Sequence, residues 1–309
     1  MENTEKNAQI HTDLACERMR ADLSLPGVEY SESEEDGFRI ARLGVTSDEG
    51  AECIGKPKGR YVTISFPPLY ELTDDAIAAL SALLSRLIGE FTAALGAPIH
   101  SVLAVGLGNR YMTSDAIGPE SIRQMLATRH LKEEDPTLFS KFSDVELSLL
   151  SPGVMAQTGI ESRILVEGVV DTIKPDLVIV IDALAARSTD RLATTIQLSD
   201  SGIRPGSGIG NSRLAIDREA LGVPVLAIGI PTVVDSRTLV LDAFERAGLS
   251  DGDIPKALHK VLSEGASFFV SPRQMDTVTE QAALVVADAI NLTFSAGFLK
   301  APDLCSRNA

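Results

Sequence analysis

Four short apolar runs, at 101–106, 145–150, 176–182 and 223–229, each stop at a turn rich in Gly, Asp or Pro. Runs of this length without polar alternation suit strands covered on both faces. Helix-like spacing occupies 121–131 and 159–173 between them and 236–247 after the last. Strand and helix in alternation predict an α/β fold: a mostly parallel central sheet with helices on both faces. Upstream, Thr73-Asp74-Asp75 precedes Ile77, Leu80, Leu84, Leu87, Ile88, Phe91 and Leu95, one helical face with an N-cap, closed by Gly96 and Pro98. Two β-like runs, 38–43 and 61–66, form an extra N-terminal segment ended by Pro67-Pro68. Before them the chain reads as loosely structured, with the acidic stretch from Ser31 to Gly37 as a solvated loop. A β-like run at 194–198 leads into a glycine-rich loop at 200–211, and 253–299 reads as two helices joined by Phe268-Phe269-Val270-Ser271-Pro272.

Charge narrows the function classes. The 309 residues carry 28 Lys plus Arg against 43 Asp plus Glu, a formal net charge of −15, which argues against direct nucleic-acid binding. With 44% hydrophobic and 23% charged residues the chain has globular balance, and without Trp its core must be mainly aliphatic. Cys16, Cys53 and Cys305 lie far apart with no C-x-x-C, so neither a disulfide framework nor a zinc site is expected. The polar N-terminus has no signal-like apolar core, and no uncharged apolar run reaches the roughly 20 residues of a membrane span. The expectation is a cytoplasmic protein without metal or cofactor.

Ligands of open parallel sheets gather at the carboxyl ends of the strands. The residues just past each apolar run therefore form the candidate site: Gly108-Asn109 and Thr113-Ser114-Asp115 after the first, Pro152-Gly153 through Gln157-Thr158 after the second, Asp182 at the end of the third, and Pro231-Thr232 with Asp235 after the fourth. Asp182 closes Leu177-Val178-Ile179-Val180-Ile181, where a carboxylate must be paired or protonated. It can equally cap a turn beginning at Ala183, and Asp115 a turn before Gly118. Together, two neighbouring carboxyls sharing a proton can act as base on a water and acid on a leaving group. Among the histidines only His130 falls near this region, and there is no H-E-x-x-H, no G-x-S-x-G and no phosphate-binding P-loop. Asp200-Ser201-Gly202 has the form of a pepsin-like loop, but in a single copy and an α/β pattern; Asp200 stays a secondary candidate with Asp235 and His130.

The strings themselves resemble the germination protease family of spore-forming bacteria. The resemblance runs through His11-Thr12-Asp13-Leu14-Ala15, Gly55-Lys56-Pro57-Lys58-Gly59-Arg60-Tyr61, Gly106-Leu107-Gly108-Asn109, Asp115-Ala116-Ile117-Gly118-Pro119, Pro152-Gly153-Val154-Met155-Ala156-Gln157-Thr158, Ile181-Asp182-Ala183-Leu184, Thr194-Thr195-Ile196-Gln197, the loop Pro205-Gly206-Ser207-Gly208-Ile209-Gly210-Asn211, and Ile230-Pro231-Thr232. It implies an atypical aspartic-type endopeptidase, related in fold to hydrogenase maturation proteases, that starts the degradation of the small acid-soluble proteins coating spore DNA. It further implies a homotetramer in the forespore or spore core, made as a zymogen and processed near Asp13 and Leu14. Residues 1–13 are then a propeptide-like segment and 14–309 a single protease domain. Asp115 and Asp182 take the catalytic positions. Asn109, Gly153, Gln157, Gly206, Gly208 and Gly210 are candidates for substrate or oxyanion contacts, the last through backbone N–H groups of glycine-rich turns. The chain departs from the family pattern at Arg110 (usually Trp), Ser114 (Pro), Ala156 (Gly) and Ser201 (Thr), and Arg110 is positioned to alter the charge felt by Asp115. Two other readings stay open: a metal-dependent peptidase of the hydrogenase-maturation type using His130, and a catalytically inert spore binding protein.

Overall fold

The computed structural model describes residues 12–19, 25–207, 213–249, 253, 255, 257, 258, 261, 268–295 and 297. Its strands are β1 (Val28–Glu35), β2 (Phe38–Val45), β3 (Gly59–Ser65), β4 (Ser101–Gly106), β5 (Glu146–Leu150), β6 (Leu177–Ala186), β7 (Thr195–Ser199), β8 (Val225–Asp235) and β9 (Phe269–Val270). The helices are α1 (Asp48–Ile54), α2 (Asp74–Ala93), α3 (Ile117–Gln124), α4 (Arg129–Glu134), α5 (Pro136–Phe142), α6 (Met155–Thr158), α7 (Ser162–Ile173), α8 (Arg218–Leu221), α9 (Ser236–Arg246) and α10 (Met275–Phe294). One sheet runs β1-β2-β3-β7-β8-β6-β4-β5, with β9 paired to β8.

This α/β sheet is mixed, not mostly parallel. Only β8-β6-β4-β5 are mutually parallel; β1, β2, β3 and β7 join antiparallel, β7 completing the row against β8. The N-terminal β segment therefore extends the same sheet. Residues 31–35, expected as a solvated loop, belong to β1, an edge strand closed onto β2 by the two-residue turn Asp36-Gly37 with positive φ at both positions.

One face is covered by α2, α3 and α10, where Leu80, Leu84, Leu87 and Ile88 of α2 meet Val286, Ala289 and Ile290 of α10 over Ile179, Ile181, Ile228 and Ile196. Thr73 caps α2 as expected, its hydroxyl accepting from the Ala76 amide. By length and composition α2 could cross a membrane, but its buried stripe is the central packing surface of this layer. On the opposite face Val166 and Val170 of α7 pack on Leu103, Val105, Val178 and Val180. The C-terminal pair of helices is seen as α10 alone, since most of 250–267 lies outside the described residues; the linking Phe269-Val270 is strand β9.

Candidate active site

Asp182 does not close its strand. It lies inside β6, which continues to Ala186 because residues 183–186 go on pairing with β8 past a register shift at Leu184/Ala185. The turn-capping reading of Asp182 is thereby overturned. Its side chain is 6% exposed, and one carboxylate oxygen accepts from the Ala183 amide at 3.0 Å. Burial pushes its pKa well above the ordinary carboxylate range, helped by the negative charges of Asp115 and Asp13 and opposed by Arg213.

Asp115 reaches this strand because glycines let three backbones meet. The Leu107 amide donates to Ile181 O at 2.8 Å, just before Asp182. A Cβ on Gly118 would lie 2.2 Å from Leu107 O and 2.7 Å from Ile181 O, and one on Gly108 (φ +112) 2.0 Å from Asp115 O. No other residue type permits both approaches. The short 3₁₀ turn Thr113–Asp115 is clamped from behind: the Thr232 hydroxyl of β8 donates to Ser114 O at 2.7 Å, and the Thr279 hydroxyl of α10 to Thr113 O at 2.9 Å. Asp115 accepts from the Asn109 amide at 2.9 Å, so it braces the preceding loop and does not cap α3. Burial raises its pKa, while the Asn109 bond and the Arg213 charge favour the ionised form. The negative charge of Asp115 in turn disfavours ionisation of Asp182. Two desolvated carboxyls close enough for the charge of one to act on the other are chemically able to serve as a base and an acid.

The segment from Thr12 to Ala15 lies against β6 just beyond Asp182. The Asp13 amide donates to Ala185 O at 2.9 Å, and the Asp13 carboxylate accepts from the Ala185 amide at 3.0 Å and the Ser207 hydroxyl at 2.6 Å. Leu14 is fully buried among Leu184, Ala186, Leu192 and Val234. Gln197 and Lys56 hold the Asp13 carbonyl, while the Gln197 side-chain oxygen accepts from the Ala15 amide at 2.7 Å. Downstream, Glu17 accepts from the Arg187 and Ser188 amides at 2.8 and 3.0 Å. A cleft of about 490 Å³ runs alongside, lined in part by Thr12, Asp13, Lys56, Gln197 and Ser207; neither Asp115 nor Asp182 lines it.

Asn109 and Gln157 adjoin the dyad and hold each other, Gln157 Nε2 donating to Asn109 Oδ1 at 2.8 Å, and Gly153 takes the positive φ that turns the chain toward Gln157. Gly206 precedes Ser207 in the loop that meets Asp13; Gly208 and Gly210 lie outside the described residues. Three secondary candidates have other duties. Asp200 pairs with Arg60 through its amide and Nε at 2.6 and 2.7 Å. Asp235 caps α9, accepting from the Arg237 and Thr238 amides. His130 is exposed on α4 beside the amino end of β5, the far edge from the dyad. Among the described residues no cluster of three His, Cys, Asp or Glu is arranged to hold a metal ion. Arg110 stacks over Tyr111 at 5.9 Å, and the cation acting on Asp115 is Arg213. Lys56, Gln197 and Ser207 sit inside recognisable sequence strings that say nothing of their task, and Arg213 carries no sequence signal.

The model of the germination protease family matches residues 5–247. The chain belongs to that family. It is 40% identical to the germination protease of Caldanaerobacter subterraneus subsp. tengcongensis, over 93% of this chain and 95% of that one. It is 36% identical to the Priestia megaterium germination protease (91% and 92%) and 35% identical to that of Bacillus subtilis (91% and 92%). Among solved structures, a NiFe hydrogenase maturation protease HycI from Thermococcus kodakarensis is similar at a TM-score of 0.33 and 17% identity, covering 63% of this chain and 94% of that one. The chain is thus a peptidase of the spore germination class.

Proposed function

We propose that this germination protease is an atypical aspartic-type endopeptidase that first cuts its own Asp13–Leu14 bond, shedding residues 1–13 from a single protease domain, and then starts the degradation of small acid-soluble DNA-coating spore proteins as a homotetramer. The observation that carries this reading is a peptide segment of its own chain bound to the strand bearing Asp182, through the Asp13 amide to Ala185 O and the Asp13 carboxylate to the Ala185 amide, with Leu14 in an apolar pocket. In the proposed reaction Asp115 takes a proton from water, whose oxygen attacks the scissile carbonyl carbon. As the C–N bond breaks, Asp182 gives its proton to the leaving nitrogen. No acyl-enzyme forms. The net charge of −15 fits an enzyme that meets a DNA-coating protein released from DNA and does not itself bind the nucleic acid.

The test is to mix purified protein lacking residues 1–13 with a small acid-soluble spore protein and map the cut by mass spectrometry. Discrete early cleavage by the wild type and none by Asp182→Asn is expected. Cleavage by Asp182→Asn at a near-normal rate refutes the dyad, and no cleavage by the wild type favours an inert binding protein.

A further inference from the structure

Lys56 and Gln197 converge on one oxygen. Lys56 Nζ lies 2.8 Å from Asp13 O and 3.2 Å from Thr12 O, and Gln197 Nε2 lies 3.3 Å from Asp13 O. Asp13 O is the carbonyl oxygen of the Asp13–Leu14 bond. Its donors come from separate parts of the fold. Gln197 is held in β7 in register with Gly229 of β8, and Gly229 is in register with Asp182 of β6. Cross-strand partners share a face of the sheet, so Gln197 and Asp182 point the same way two strands apart. Gly229 between them has no side chain, and a Cβ there would come within 2.4 Å of Leu184, one wall of the Leu14 pocket.

Lys56 comes from the turn after α1. Gly55, at φ +67, ends that helix, and the Tyr61 hydroxyl pins the turn by donating to Pro57 O at 2.7 Å. The ammonium is thus delivered to the segment by a braced loop. Its surroundings disfavour charge: burial draws the Lys56 pKa down, while the Asp13 carboxylate pulls it back up. A half-desolvated ammonium bonded to a carbonyl is a stronger electrophilic partner than the same group in water.

We infer that Lys56 and Gln197 form the oxyanion site of this peptidase, polarising the scissile carbonyl and holding the negative oxygen of the tetrahedral intermediate. The inference rests on Asp13–Leu14 being the bond processed. Among the described residues no backbone N–H of the glycine-rich turns is hydrogen-bonded to this carbonyl. In the step itself, water gives a proton to Asp115 and its oxygen bonds to the Asp13 carbonyl carbon. The carbonyl π pair moves to the oxygen, which gains charge against Lys56 Nζ and Gln197 Nε2. Collapse restores the C=O bond, expels the Leu14 nitrogen and draws the proton from Asp182. Proton exchange with solvent then returns the dyad to its starting state. With a substrate supplied in trans, the same two donors face the equivalent carbonyl.

The test uses the full chain and its trimmed form. Lys56→Met and Gln197→Leu are compared with wild type in single-turnover self-processing, read by intact mass, and in cleavage of a small acid-soluble protein in trans. Lys56→Met is expected to lower kcat by about 100- to 1,000-fold with KM changed little, since an oxyanion donor acts in the transition state. Lys56→Arg should recover part of the loss, and near-wild-type thermal unfolding of each variant sets misfolding aside. A raised KM at unchanged kcat would show these residues only dock the segment and overturn the inference. If the wild type matures by cutting elsewhere than Asp13–Leu14, the processing reading fails instead, and the new N-terminus tells the two failures apart.

Discussion

Replacing Asp182 with Asn should stabilise the protein while abolishing its chemistry, and the stabilisation should grow with pH. The folded chain keeps Asp182 protonated well into the range where an unfolded aspartate, with a pKa of about 3.9, is ionised. Below that value both states hold the proton and the residue is neutral toward stability. Above it the unfolded state gains by releasing a proton that the folded state retains, so stability falls with rising pH until the folded carboxyl itself titrates. The loss approaches about 1.4 kcal/mol per pH unit for as long as the folded carboxyl keeps its proton. Asparagine has nearly the shape of the protonated acid and no titration. Urea unfolding of wild type and Asp182→Asn across pH 4 to 7, at one protein concentration, therefore gives a stability difference that is small at pH 4 and widens in favour of the variant until the folded carboxyl titrates. Because it is a difference, the other titrating groups cancel to first order. A difference independent of pH over this range would refute the claim that Asp182 stores a proton in the folded state.

Three further predictions probe the parts around the dyad. Leu14→Ala leaves a cavity against Leu184 and Val234 and should weaken docking of the segment by about 2 to 5 kcal/mol, seen as faster hydrogen exchange at the Ala15 amide and slower self-processing. Gly118→Ala forces a methyl to within 2.2 Å of Leu107 O; the turn bearing Asp115 must shift, and activity should fall by at least about 100-fold with secondary structure retained by circular dichroism. Asp200→Asn breaks only a partly exposed pair with Arg60, so catalysis should be unchanged and thermal stability should drop by no more than about 1 kcal/mol.

The sequence was most legible where one physical demand ruled the pattern. β4 occupies the whole of its apolar run, and α2 starts at its Thr73 cap, because burial and capping write themselves into residue order. The strand-end argument that singled out Asp182 does not hold, because Asp182 only interrupts the apolar run: Ala183, Leu184, Ala185 and Ala186 resume it and still pair with β8. One buried polar residue does not end a strand whose backbone pairing and apolar cover continue past it. β1 escaped notice because an edge strand can be nearly all polar; Arg86 and Arg42 neutralise Glu35, whose carboxyl falls to about 2. Its one sequence signal was Asp36-Gly37, the dipeptide of a tight hairpin turn. Antiparallel attachment of β7 also has no local signature, because direction is set by which strand it meets. The donors Lys56 and Gln197 stand 141 positions apart in the chain and are joined only by the carbonyl they share.

In the proposed mechanism Asp115 and Asp182 cut the Asp13–Leu14 bond. Its most direct measurement is the intact mass and N-terminal sequence of full-length wild type, Asp115→Asn and Asp182→Asn, purified alike and incubated in parallel, each alone, under conditions that trigger maturation. The dyad predicts a wild type beginning at Leu14 and two variants that stay whole. A variant that matures to the same Leu14 terminus on its own contradicts it.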